Sequence, residues 1–354
     1  MTSMALIPQL APPPGPAWWL EALLLLTFIL HLLLMNAVLG GTVIAAVQTY
    51  RLPTHAQGLV RDFGARLPTA LALAINLGIP PLLFMQVLYG QFLNVSSVLM
   101  AVWWIGIIGL VMLAYYGLYI FAIGHNELGH RRLAVLLVCL LLLLGTSFVF
   151  SNNMTLMLNP PRWSAWFSQR NGTLLNLADP TLIPRWLHMV TGAIAIGGLA
   201  LSLFHSRRTM WNDPAAQHGM REGLKWFSHA TALQVMVGVW FLMSLPRPVM
   251  LGFMGGDPVA TAALVLGLLG TGLCLAAGFK GKLALSVGAG IGTVAVMAVM
   301  RAKLRTFMLT PWVIPQAEAP QELSPLVLFI ASLVFGIVSI IYMLRLMRSP
   351  GREA

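Results

Sequence analysis

The sequence predicts an all-α protein that crosses a membrane as a bundle of nine helices. Three observations carry this prediction: the composition, the long apolar stretches, and the distribution of basic residues between them. Of 354 residues, 58% are hydrophobic and only 9% are charged, whereas a soluble globular chain carries about 25% charged residues. The mean hydropathy is +0.83. This composition excludes cytosolic catalysts, nucleic-acid-binding proteins and disordered scaffolds.

Nine apolar stretches each have the length that a transmembrane helix needs, about 20 residues. They cover residues 19–47, 67–93, 97–122, 133–150, 186–204, 226–245, 259–279, 283–300 and 326–344. Pro80 and Pro81 in the second stretch remove two backbone donors, which predicts a kink or a helix broken beside a cavity. The predicted membrane domain is therefore 19–348, between a proline-rich external lead (1–18) and a cytoplasmic tail (349–354).

The loop charges predict the orientation, because cytoplasmic loops carry an excess of Lys and Arg. Nine spans put the two termini on opposite sides of the membrane. One set of loops holds fourteen of the twenty-one Lys and Arg residues, and the other set holds seven. The richer set is expected in the cytoplasm, so the amino terminus is predicted outside and the carboxyl terminus inside.

The predicted external segment 151–185 contains Trp163, Trp166 and Phe167 beside basic residues. This pattern is typical of an amphipathic stretch lying in the membrane interface. A simple aromatic anchor explains the same residues.

A second external cluster runs against the prevailing charge bias. Arg301, Lys303 and Arg305 place three cations at the outer end of the eighth span. Haem propionates, lipid phosphates or an acidic partner each explain such a cluster. We expect Arg301 and Arg305 to contribute to cofactor binding.

Carboxylates are missing from the central part of every predicted span, and Glu21 stands only at the outer start of the first. Proton pumps and proton-coupled transporters normally place a carboxylate at membrane depth. An oxygen reductase must also deliver protons to its metal. The sequence therefore argues against both activities.

Two histidines stand within apolar spans on matched motifs. Each is followed nine and ten residues later by a glycine pair: His31 by Gly40-Gly41, and His188 by Gly197-Gly198. Nine residues of α-helix turn through about 900°, so the histidine and the first glycine face different neighbours. Glycine pairs let another helix approach closely, which leaves each imidazole a separate contact. The iron of a b-type haem is one such contact, and a hydrogen bond to an adjacent helix is the other.

Four further histidines lie near the predicted inner face. His205 and His229 stand at the inner ends of the fifth and sixth spans, where they would suit a second haem or a quinone pocket. His125 and His130 flank an inner turn. Interfacial histidines are also often simply solvated, which is the competing interpretation for all four.

Three segments of the sequence are similar to subunit I of the cytochrome bd quinol oxidases. The segment LTFILHLLLMNAVLGGTVIAAV resembles the first helix of that family, RWLHMVTGAIAIGGLALSLFHSRR its fifth, and INLGIPPLLFMQVLYG its second. The likeness covers roughly residues 19–245. It implies nine spans in a bacterial cytoplasmic (inner) membrane, with His31 ligating a haem of the oxygen-reactive pair and His188 ligating the low-spin haem.

The sequence departs from that family at its oxygen site and its quinol loop. The third-helix glutamates have no counterpart in WWIGIIGLVMLAYYGLYI, and the eighth-helix carboxylate has none in VGAGIGTVAVMAVM. The external quinol loop shrinks to about residues 246–257. The methionine partner of the low-spin haem is missing from the seventh span, although Met250 and Met254 lie just outside it. The chain is therefore interpreted as a divergent relative that does not reduce oxygen by itself.

The leading hypothesis is a membrane b-type cytochrome-like subunit that passes electrons between the quinone pool and an external redox partner such as a c-type cytochrome. Its expected cofactors are haem b and a quinone. The haem would be non-covalent, because Cys139 and Cys274 are the only cysteines and form no CxxCH motif. Met254 is a candidate ligand. A haem-free anchor of a respiratory complex is the second hypothesis, and a permease is the third.

Overall fold

The computed structural model describes residues 6–8, 16–51, 58–124, 127–209, 213–313 and 323–348. Within these ranges the chain is helical and contains no strand. The predicted tail at 349–354 lies outside the described residues, as does most of the predicted lead at 1–18.

The helices follow one another with short connections. In chain order they are α1 Ala17–Arg51, α2 Gly58–Gly64, α3 Leu67–Leu99, α4 Ala101–Ile123, α5 Arg131–Met157, α6 Leu182–Thr209, α7 Pro214–Ser244, α8 Arg247–Leu251, α9 Pro258–Phe279, α10 Leu283–Leu309 and α11 Ser324–Arg348. Short 3₁₀ helices run over Pro160–Phe167 and Thr310–Trp312, and a π-helical turn over Gly252–Gly256.

Eight of these helices are long and apolar enough to cross a membrane, and each coincides with one of the first eight predicted spans. The molecule is thus a multi-pass membrane helix bundle. The ninth predicted span falls on α11, whose described apolar stretch is the shorter run Leu326–Gly336. The count of nine spans and the orientation of the termini stay predictions.

The predicted kink in α3 is present but displaced. Pro80 and Pro81 lie inside the helix, and the backbone leaves helical values at Tyr89, with φ −135° and ψ 24°. The φ angle that proline imposes is itself helical, so the two prolines do not have to end the helix where they stand. The displaced break sets the direction of the Tyr89 side chain, which belongs to the site described below.

Helix α1 is central to the packing, because it contacts α3, α5, α6 and α10. It meets α6 at the predicted glycine pairs. A Cβ on Gly40 would lie 2.9 Å from the Cα of Ile194, and one on Gly197 would lie 2.6 Å from the backbone nitrogen of Gly41. No side chain fits between backbones this close, so the expectation that the glycines admit a neighbouring helix is confirmed.

The segment 151–185 begins and ends in long helices and has a short 3₁₀ helix between them. Helix α5 continues through Met157, and α6 begins at Leu182. Trp163 is only 2% exposed and donates from Nε1 to the carbonyl oxygen of Leu156 at 2.9 Å. Phe167 is 49% exposed. Trp163 is therefore a core residue rather than an interfacial anchor, while Phe167 is free to meet the lipid interface.

Candidate functional site at the arginine end of the bundle

The candidate residues gather at one end of the bundle, which we call the arginine end. Helices α1 and α6 begin here, and α3, α7 and α10 end here. Contacts join these helices directly: Arg301 of α10 lies against Phe28 of α1, and Arg305 of α10 lies against Tyr89 of α3.

His31 of α1 faces α3. Its Nδ1 lies 2.9 Å from the carbonyl oxygen of Ala74, and its ring packs so closely on Gly78 that a Cβ there would lie 2.9 Å from Cε1. A carbonyl oxygen only accepts, so Nδ1 carries the proton and Nε2 keeps a free lone pair. Histidines that bind metal in proteins are commonly held in this way, with one nitrogen donating to a carbonyl and the other free for the metal.

His188 of α6 faces α7 and presents the opposite nitrogen. Its Nε2 lies 3.0 Å from the amide nitrogen of Gln234. The amide of Gln234 is oriented with its oxygen toward the hydroxyl of Thr191 and its NH₂ toward His188, so the NH₂ donates to His188 Nε2. In this orientation the proton of His188 sits on Nδ1, which is buried without a partner among the described residues. A Cβ on Gly238 would lie 3.2 Å from Cε1 of this ring.

The two histidines thus belong to two similar helix pairs, α1 with α3 and α6 with α7. In each pair the imidazole bonds to one residue of the partner helix and packs on the glycine four residues later: Ala74 and Gly78 in the first pair, Gln234 and Gly238 in the second. The two pairs differ chemically, since the first offers a base and the second offers a donor.

The expectation that histidine and glycine serve different neighbours is confirmed for the first glycine of each sequence motif, since Gly40 meets α6 and Gly197 meets α1. It is wrong for the second glycine, since Gly41 meets α3 and Gly198 meets α7, the same helices that the two histidines contact.

Three arginines surround this arrangement, and each guanidinium lies over an aromatic ring. The Cζ atom of Arg301 is 4.4 Å from the ring centroid of Phe28, and that of Arg305 is 4.2 Å from the ring of Tyr89. The Cζ atom of Arg185 is 5.2 Å from the ring of Phe241. These distances are typical of cation–π contacts.

The three arginines form one positively charged cluster. Arg301 interacts electrostatically with both Arg185 and Arg305, and His31 lies within the field of Arg301. No carboxylate in the described part of the chain forms an ion pair with any of the three. Arg185 is only 9% exposed, and the carboxylate of Asp179 acts on it electrostatically. The Nε atoms of Arg185 and Arg305 are buried and have no hydrogen-bond partner in the residues that the structure describes.

Lys303 does not belong to this cluster. Its Nζ lies 3.0 Å from Oδ2 of Asp257, and the other carboxylate oxygen of Asp257 caps α9 by accepting from the backbone nitrogen of Ala260 at 2.7 Å. The amide of Ala260 and the ammonium group of Lys303 together hold the pKa of the Asp257 carboxyl below its usual value. The three cations read from the sequence therefore divide into one paired lysine and two arginines that form no ion pair with a carboxylate of the described residues.

Met254 occupies a different kind of position. It lies in the π-helical turn before α9 and is 60% exposed. The structure thus brings His31, Arg301 and Arg305 together and places His188 beside Phe241, at a centroid distance of 6.1 Å. It leaves Met254 on the surface.

Sequence reasoning overlooked Arg185 and Gln234. Arg185 is one of the seven cations that the sequence assigns to the external loops, yet it lies in the first turn of α6. The spacing of Arg185 and His188 carried the signal, because residues three apart on a helix share a face. Gln234 had no such signal, since only the packing of α6 on α7 brings its amide to His188.

The histidines near the other end of the bundle have separate surroundings. His205 is fully buried, with its ring against Gly219, so the interpretation as a solvated residue is wrong for it. His229 is exposed, and its Nδ1 lies 2.7 Å from the carbonyl oxygen of Lys225. His130 is exposed, and His125 lies outside the described residues.

A scan against models of protein families finds no match to this chain, and a search of curated proteins finds none either. The class of protein therefore rests on the fold and composition. It is a multi-pass membrane helix bundle with a partly buried basic and histidine-containing site at one end.

Proposed function

We propose that the protein is a membrane electron-transfer subunit of the b-type cytochrome kind. It would cross a bacterial inner membrane nine times with its amino terminus outside, and pass electrons between the quinone pool and an external partner such as a c-type cytochrome. The observation that carries the proposal is the hydrogen bond from His31 Nδ1 to the Ala74 carbonyl, which leaves Nε2 as a free base at membrane depth.

The free Nε2 of His31 supports a non-covalent haem b at this position. Bound there, the haem would supply a one-electron centre. His31 Nε2 would hold the iron, and Ala74 would fix the tautomer and ring orientation. The positive charge of Arg301 favours the more negative state of a nearby redox group and so raises its reduction potential.

His188 suits a different role from the iron ligation that the family resemblance implied. Its Nε2 accepts from Gln234, so no free lone pair is directed at a metal in this arrangement. Its Nδ1–H is a buried donor without an acceptor. A quinone carbonyl would satisfy that donor, and Gln234 would hold the imidazole in the donating tautomer. We therefore propose His188 as the hydrogen-bond donor to the quinone.

A haem-free anchor is the second candidate. A second haem would need His188, which the resemblance implies as a ligand, and a methionine, for which Met254 is the candidate. His188 is hydrogen-bonded through Nε2, and Met254 is 60% exposed. A chain without the ligands for the second haem is also a candidate for having no haem at His31. Assembly of a respiratory complex would then be its function.

Visible spectra of the purified protein, oxidised and reduced with dithionite, test the main proposal. We expect a Soret band that shifts on reduction in the wild type and in His130→Ala, which removes an exposed histidine. The band should be lost in His31→Ala, because iron loses its protein ligand. A wild-type protein without a Soret band would leave the anchor as the better account.

A further inference from the structure

We propose that Arg185, Arg301 and Arg305 form a binding site for the phosphate group of an anionic phospholipid. The proposal stands on the arginine cluster alone and does not require haem at His31.

The first step is the charge balance. Three guanidinium groups from α6 and α10 share the arginine end, and Arg301 interacts with both of the others. Lys303 is neutralised by Asp257. Asp179 acts on Arg185 from a distance, and Glu21 accepts from the Tyr89 hydroxyl at 3.1 Å, but neither carboxylate forms an ion pair with the cluster in the described residues. Like charges gathered at low dielectric repel one another, so a bound anion would stabilise the cluster.

The second step is the unused hydrogen-bonding capacity. The Arg185 side chain is more than nine-tenths buried, yet its Nε has no hydrogen-bond partner among the described residues. The Nε atom of the half-buried Arg305 also has none there, while its Nη1 lies 3.3 Å from the sulfur of Met85 and its guanidinium interacts with Tyr89. Burying donors without acceptors destabilises a protein, and more so when the donors are charged. Phosphate supplies several acceptor oxygens at once in the geometry that the arginine fork matches.

The third step is the depth and the walls of the site. Arg301 lies eight residues before the last residue of α10, which places it about 12 Å along the axis from the helix end. The guanidiniums stack on Phe28, Tyr89 and Phe241. A free hydrated anion would lose its water among these rings, whereas a phospholipid carries its own apolar chains with the phosphate. Arg301 and Arg305 are half-buried, so part of the cluster is accessible from outside the protein.

Native mass spectrometry of the detergent-solubilised protein, titrated with phosphatidylglycerol or with zwitterionic phosphatidylcholine, tests the proposal. We expect the wild type to retain phosphatidylglycerol preferentially. Arg301→Gln and Arg185→Gln should each weaken that binding about tenfold or more, as the loss of a charged hydrogen bond predicts. Arg170→Gln, which removes an exposed cation, should bind as the wild type does. Equal retention of the two lipids by the wild type would overturn the proposal.

Thermal melting adds a second measurement, the change in melting temperature on adding phosphatidylglycerol. A purely structural role of Arg301 would not alter this lipid-induced change. Without added lipid, Arg301→Gln should melt at or above the wild-type temperature, because it relieves repulsion within the cluster. Phosphatidylglycerol should then raise the melting temperature of the wild type but not of Arg301→Gln. A variant that melts well below the wild type without lipid, and still gains the full lipid stabilisation, would contradict the site.

The His31→Ala protein separates a lipid phosphate from the carboxylates of a bound haem. If the cluster holds lipid, His31→Ala and the wild type retain phosphatidylglycerol alike, whether or not the wild type shows a Soret band. If phosphatidylglycerol binds only to His31→Ala, then haem carboxylates occupy the cluster and the lipid proposal is wrong. Failure of the electron-transfer proposal appears only in the visible spectrum, so the two outcomes remain distinct.

Discussion

At the scale of single residues, the chemistry of the site depends on which nitrogen of each histidine is already engaged. His31 bonds to a carbonyl and keeps a base, whereas His188 accepts from an amide and keeps a donor. The two sequence motifs are alike, and the family resemblance implies that both histidines are haem ligands. The difference arises because α3 presents Ala74 where α7 presents Gln234, and neither residue belongs to a histidine motif.

Asp257 carries a residue-scale prediction about pH. The folded-state pKa of its carboxyl is depressed by the Ala260 amide and by Lys303. The resulting stabilisation is present above the unfolded pKa, about 3.9, and is lost as pH falls through the lower folded pKa. Asn still caps a helix but carries no charge. In Asp257→Asn, the melting temperature should therefore fall less between neutral and strongly acidic pH than in the wild type.

Asp213→Asn is the matched control for this measurement. Asp213 caps α7 by accepting from the backbone nitrogen of Ala215 at 2.9 Å, and no lysine pairs with it in the described residues. Its replacement should leave the acid sensitivity of the wild type largely intact. If both variants change the pH dependence equally, the ion pair with Lys303 is not the cause.

At the scale of helices, the crossing of α1 and α6 holds the two histidine-bearing helix pairs together. Backbone atoms of Gly40 and Gly197 meet there with no room for side chains. The repeated spacing of histidine and glycine in the sequence predicted a close helix contact at these glycines. The sequence did not predict the break of α3 at Tyr89, because Pro80 and Pro81 predict a kink earlier in that helix. At this break the ring of Tyr89 lies against Arg305 and its hydroxyl donates to Glu21.

Replacing Gly40 by Ala should destabilise the protein by about 1–3 kcal/mol, the usual cost of overpacking a core. The added Cβ would lie 2.9 Å from the Cα of Ile194, and a backbone atom cannot move aside as a side chain can. Gly106 of α4 has no atom within 4 Å of its would-be Cβ. Gly106→Ala should therefore stabilise by up to about 1 kcal/mol through helix propensity. Unfolding titrations in mixed micelles measure both, and the same sign in both variants would contradict the close crossing.

At the scale of the whole molecule, the pattern of apolar stretches located the helices well. Eight predicted spans coincide with eight membrane-compatible helices, because burying backbone polar groups in lipid requires about 20 apolar residues in a helix wherever the chain crosses. The loop charges predict in addition that the segment 151–185 faces outward and the connection between α6 and α7 faces inward.

Single cysteines test this topology in a background without Cys139 and Cys274, both of which are buried. Ser164→Cys and Gln217→Cys each replace an exposed residue. In intact cells a membrane-impermeant maleimide should label the cysteine at 164 and spare the one at 217, which should react only after the membrane is opened. The reverse pattern would invert the proposed orientation and move the arginine end to the cytoplasm.

The sequence by itself determined that the chain is an all-helical membrane protein, where most of its helices lie, and that His31, His188, Arg301 and Arg305 are its unusual polar residues. These are local properties, read from runs of neighbouring side chains. Tertiary structure alone decided which charges are neutralised. Lys303 finds Asp257 across 46 residues of chain, and Arg185 joins Arg301 from another helix, because partners of this kind are chosen by helix packing and not by spacing along the chain.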